Sequence, residues 1–142
     1  MISCTEFIYS YSELFKFIEE KEGKEGVRRY WEYVSDNYVK DRLGKCVRED
    51  GIEGCWNYWA KSLSEEAADF RMTLDRDTFE IDMFHCPSKG RLLDKKDFVP
   101  YEDYCKHCDL LYRRVLEPLG FSYDYDMSGT DKAQCKLTIK KL

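Results

Sequence analysis

Near Ala68 the apolar residues of this chain change their spacing, and that change limits what it can fold into. Before it, Tyr11, Leu14, Phe15 and Ile18 recur at helical intervals, as do Val27, Tyr30, Trp31, Val34 and Tyr38. Ile52, Cys55, Trp56, Trp59 and Leu63 make a third such stripe. Beyond Ala68 the period becomes two: Phe70, Met72 and Leu74 alternate with Arg71, Thr73 and Asp75. After a turn at Asp75 to Thr78, Phe79, Ile81 and Met83 alternate with Glu80 and Asp82, which reads as a half-buried hairpin.

The punctuation between these stripes sets the element boundaries. Ser10 and Glu13 have capping-box spacing, so the first helix is expected from Ser10 to about Glu22, broken by Gly23 to Gly26. A longer helix follows through Tyr38 toward Val47, interrupted at Glu49-Asp50-Gly51; the third ends near Ala68. His85 to Val99 is a long connection containing Pro87 and Gly90. Pro100 suits a first helical position, with Glu102 and Asp103 in the first turn and Cys108, Leu111, Tyr112, Val115 and Leu119 facing inward. Pro118 and Gly120 end that helix. Phe121, Tyr123 and Tyr125, then Ala133, Cys135, Leu137 and Ile139, form a closing hairpin around Gly129.

The predicted class is therefore α+β: N-terminal helices packed on a small antiparallel sheet of about four strands, with a Cys-x-x-Cys helix between two hairpins. At 142 residues the chain suits a single domain, with a helical half over 1–68 and an α+β half over 69–142. Neither half looks able to close a core alone.

A net charge of −5 argues against a nucleic-acid partner, which would need a clustered basic surface. No apolar run reaches the length of a membrane span. Met1-Ile2-Ser3-Cys4-Thr5-Glu6 lacks the basic start and apolar core of a signal peptide, so a cytoplasmic location is expected. The partner expected is a small-molecule substrate or ligand; a homo-oligomer is compatible with the composition. Seven cysteines at irregular spacing make a poor disulfide framework, leaving core packing, metal ligation or catalysis as their roles.

The chemistry concentrates around Cys105-Lys106-His107-Cys108-Asp109, with Cys86 before it and Cys135 after it. A disulfide oxidoreductase is disfavoured, because Cys105 follows two acids and the helix lacks a βαβ setting. Cys86, Cys105, Cys108 and Cys135 could make a four-thiolate site for zinc or another thiolate-bound metal. Asp109 or His85 could replace one thiolate, whereas His107 should project away from the Cys105–Asp109 side. Equally, these thiols could be packed core residues. In a third reading Cys105 or Cys86 is a nucleophile and Asp109 a general base one turn beyond Cys105, unless Asp109 only pairs with Arg113. Nothing in the pattern calls for an organic cofactor. Trp31, Trp56 and Trp59 sit on the inward stripes, as core or as the wall of a ligand pocket.

His85-Cys86-Pro87, Tyr104-Cys105-Lys106-His107-Cys108-Asp109, Leu116-Glu117-Pro118-Leu119-Gly120-Phe121 and Gln134-Cys135-Lys136 follow one another from about Phe79 to the end. In order and spacing this half resembles the L-2-amino-thiazoline-4-carboxylic acid hydrolase-like family. The resemblance implies a Cys-Pro, a Cys-x-x-x-Asp and a late strand cysteine, matched by Cys86, Cys105, Asp109 and Cys135. It also implies hydrolysis of a C–N bond in a cyclic amidine or thiazoline, with Cys105, Asp109 and Cys86 catalytic. Arg91, Lys89 and Lys136 are the candidates to hold a substrate carboxylate. A more distant similarity to vinyl reductase-type domains implies instead a non-enzymatic module that binds a small ligand or a metal through its cysteine cluster.

Overall fold

The computed structural model describes residues 3–142; Met1 and Ile2, which belong to the leader reading, lie outside it. Helix α1 spans Cys4–Val34 and begins with a capping box between Ser3 and Glu6, about two turns earlier than the Ser10–Glu13 pair suggested. Both pairs have the required spacing. The earlier one caps the helix because Ile8 and Tyr9 pack against the core, so the first two turns have something to cover. Gly23 has φ 72°, a left-handed value that kinks the helix without opening a loop.

A π-helical turn, Ser35–Val39, carries the chain into α2, Lys40–Asp50, and Gly51 at φ 61° reverses it into α3, Glu53–Glu65. Strand β1, Asp69–Leu74, and β2, Thr78–His85, form the expected hairpin. The 85–99 connection is not structureless: it contains a short helix α4, Lys89–Asp94, anchored by the fully buried Leu92.

Helix α5 spans Lys106–Leu116, so it does not start at Pro100. Residues 101–105 form tight turns, with Tyr104 N–H bonding the Tyr101 carbonyl and Lys106 N–H the Asp103 carbonyl. Tyr101 and Tyr104 are buried, and burying those rings outweighs continuing the helix backward to Pro100. Strand β3, Phe121–Asp126, follows a 3-10 turn at Glu117–Leu119 with Gly120 at φ 88°. Strand β4, Cys135–Lys141, starts two residues later than the alternation at Ala133 suggested, because Ala133 takes φ 58° at the end of another 3-10 turn.

The four strands form one antiparallel sheet in the order β1-β2-β4-β3. Ile81 pairs with Leu137 and Phe79 with Ile139, so the apolar alternation of two strands distant in sequence lands on one face. That face meets the helices: Trp59 stacks on Phe79 at 5.7 Å, and Phe15, Trp31, Leu43 and Leu116 are buried behind it. Each such aliphatic or aromatic side chain contributes about 1.5–3 kcal/mol on burial. The opposite face is solvated and carries a ladder of charge, Arg71–Asp82 at 2.7 Å and Lys136–Glu80 at 3.2 Å. The α+β class is thus the fold of the chain. Among the described residues no helix is long and apolar enough to cross a membrane.

Trp31 and Trp59 are buried as their stripes predict, but Trp56 is 37% exposed. Its ring meets Phe79 edge-on at 6.4 Å, while Trp59, one turn away, takes the stacked place on that ring.

Candidate functional site

Cys86 follows β2, Cys105 precedes α5, Cys108 lies in its first turn and Cys135 begins β4. All four line one narrow cavity of about 20 Å³, room for a single water-sized centre. The loops are tied together there: Cys86 N–H bonds the Ala133 carbonyl at 2.8 Å, and Lys89 N–H reaches Cys86 Sγ at 3.4 Å. Among the described residues, no three His, Cys, Asp or Glu side chains are grouped so as to hold a metal ion. The four thiols expected as a metal site share a space without closing on one point.

A larger cavity of about 220 Å³ adjoins this one and shares Cys86, Cys108 and Cys135 with it. It runs between the apolar face of the sheet, at Ile81, Met83 and Leu137, and the helices, at Trp59, Leu63 and Tyr112. Larger grooves lie elsewhere, one of about 460 Å³ beside Asp36, Lys40, Arg48 and Arg114. That groove is a solvated charged surface in which Arg114 is already paired with Asp36 at 3.0 Å. Size alone does not identify the site; apolar walls with a few convergent polar groups do.

His107 is the residue the sequence reading misplaced. It does not project away: it is 8% exposed and lines both cavities. Spacing alone held the clue, since Tyr104, His107, Leu111 and Val115 fall on one helical stripe. Its Nδ1–H donates to the Tyr104 carbonyl; a carbonyl only accepts, so the proton is fixed on Nδ1. Nε2 is left as an acceptor 3.4 Å from Cys108 Sγ, whose S–H donates to it. Around this pair, Tyr123 hydroxyl donates to the Cys108 carbonyl at 3.1 Å, and Ser88 and Tyr104 share a hydrogen bond at 2.5 Å.

The imidazole of His107 and the thiols of Cys105, Cys108 and Cys135 are uncharged at rest. Burial pushes His107 down to about 4, against a smaller upward pull from the Tyr104 carbonyl. Burial pushes the Cys105 and Cys135 thiols up to about 11, and Cys108 well above the ordinary thiol range. The facing cysteines add to each of these shifts, because several thiolates in one cavity would repel one another. Lys89 partly offsets the shift at Cys105, and the Tyr125 hydroxyl does so at Cys108 and Cys135.

Asp109 is not part of this arrangement. Its carboxylate accepts two hydrogen bonds from Arg113, at 2.9 and 2.8 Å, within its own helix. It borders the open groove beside Lys24, Trp31 and Lys106 instead of the thiol cavity. Helix α5 begins at Lys106, leaving Cys105 in a turn before it, so the one-turn offset between Cys105 and Asp109 does not bring their side chains to one place. His85 is exposed, its ring lying against Gly90, and it does not line the thiol cavity. Of the candidates to hold a carboxylate, Lys89 alone lines that cavity; Arg91 faces Glu66 at 3.7 Å and Lys136 pairs with Glu80. Comparison of the chain with protein-family models, with curated proteins and with solved structures gives no match to any of them.

Proposed function

We propose that this chain is a small-ligand-binding module whose cavity takes a compact, mostly apolar molecule, with its polar end toward the cysteines and His107. The observation that carries this reading is the 220 Å³ space walled by Trp59, Ile81, Met83 and Leu137, with the protonated thiols of Cys108 and Cys135 and the neutral His107 imidazole also in its lining. Its volume is below the usual range for drug-sized ligands, so the occupant is small. Hydrolysis of a cyclic amidine is less well supported, because Asp109 stands off the cavity and the thiols are held protonated. A thiolate-bound metal would need the four cysteines to rearrange.

Methyl-resolved NMR of the full chain tests the reading, with cyclohexanone as the probe. The expected result is a saturable shift of the Met83 methyl signal that is lost in Leu63→Trp, whose larger side chain takes up cavity space. No shift in the wild type would refute it. Cysteine-dependent ring opening of L-2-amino-thiazoline-4-carboxylate would replace it with the hydrolase reading. One thiolate-bound metal per chain in elemental analysis of reduced protein would replace it with the metal reading.

A further inference from the structure

We infer that Cys108 is a covalent docking thiol for a small α,β-unsaturated carbonyl ligand, with His107 as the base that receives the thiol proton. This rests on the ligand-cavity reading and adds to it the chemical class of the occupant. Among the described residues Cys108 is the one thiol with an imidazole nitrogen within hydrogen-bond reach, at 3.4 Å. The base is itself oriented by a third group, the Tyr104 carbonyl, which fixes the tautomer so that Nε2 faces the sulfur. Nucleophile, base and orienting acceptor are the parts that an activated thiol requires. Both side chains line the 220 Å³ cavity, so a ligand held there lies beside the sulfur.

The same neutrality narrows the class of electrophile. Burial disfavours a standing thiolate at Cys108 and a standing imidazolium at His107, so proton transfer must accompany bond formation. Conjugate addition meets this condition and needs no further reactant. The Sγ–C bond forms at the β carbon while the C=C π pair moves toward the carbonyl as an enolate. The thiol proton passes to Nε2 and from there to the α carbon, so no leaving group departs and nothing is oxidised or reduced. A saturated ketone of the same shape would bind without reacting. The apolar walls at Met83 and Leu137 suit the hydrocarbon part of such a ligand.

Reduced protein is incubated with 2-cyclohexen-1-one, the adduct weighed by intact mass spectrometry and its position mapped by peptide analysis. The expected result is one adduct per chain at Cys108, absent in Cys108→Ser and slowed at least ~10²-fold in a folded His107→Gln variant. Its rate should stay flat between pH 6 and pH 8, since the neutral pair reacts; an unassisted thiol would speed up about tenfold per pH unit. The mapping and the pH profile use the wild type, so they stand even where His107→Gln fails to fold. Labelling confined to the exposed Cys4 or to Cys46, or a tenfold rise per pH unit, overturns the inference. So does the absence of any adduct while cyclohexanone still shifts the Met83 signal, with the cavity reading left intact. If neither compound enters the cavity, both readings fall together.

Discussion

The hydroxyl oxygen of Ser12 accepts a hydrogen bond from the backbone N–H of Tyr101 at 2.8 Å, across 89 residues of chain and out of reach of solvent. This bond joins α1 to the turns that precede α5, which carry Tyr104 and lead directly into His107. Ser12→Ala leaves the Tyr101 N–H buried without a partner. The expected loss is about 1–3 kcal/mol of unfolding free energy, read by urea denaturation. A loss of the Met83 response to cyclohexanone should accompany it if the bond also positions the site.

The His107 pair sets an acid limit on stability. Its folded value lies near 4 against 6.5 for the free side chain, so the unfolded state binds more protons as pH falls below 6.5. The stabilisation is complete above pH 6.5 and is lost progressively between there and pH 4. It amounts to roughly 3 kcal/mol. Unfolding curves over that range should show the slope in the wild type and a flattened one in His107→Gln. An unchanged slope would place the titration elsewhere.

Asp109 belongs to a partly exposed i,i+4 ion pair, and Arg113 keeps a second carboxylate at Glu117, 2.9 Å away. Asp109→Asn should therefore change stability by at most ~1 kcal/mol. Ligand binding and any adduct formation at Cys108 should be unaffected, as measured by the same NMR titration and mass analysis.

Gly54 of α3 packs directly on the backbone of α2. A Cβ there would lie 2.3 Å from the Cys46 carbonyl oxygen and 2.6 Å from the Val47 nitrogen, backbone atoms that cannot swing aside. Gly54→Ala should cost about 1–3 kcal/mol by forcing the two helices apart. Thermal unfolding reads this as a lowered Tm. Because α3 carries Trp59 and Leu63 into the cavity wall, the substitution should also weaken ligand binding.

By itself the sequence determined the types of the long helices and of the four strands, because they follow from local spacing. The switch near Ala68 marked where helices give way to strands, and the alternation at Phe79, Ile81, Leu137 and Ile139 fixed which strand face is apolar. The glycines at 23, 51 and 120 marked the kink and the turns, each at a positive φ that a glycine adopts without strain. The placement of four cysteines on a loop, a helix face and a strand was likewise legible as a reason to look for a shared centre. Only the tertiary structure decided what each side chain meets there. Two capping boxes of equal spacing compete at the start of α1, and core contacts of Ile8 and Tyr9 choose between them. Pro100 offers a helix start that the burial of Tyr101 and Tyr104 overrides. Asp109 and His107 are two positions apart on α5, yet one faces a solvated groove and the other the narrow cavity of the cysteines. Helical periodicity gives the angle between two side chains but not the surface that packs over either. That surface comes from α1 and the sheet, whose positions depend on contacts made across the whole chain.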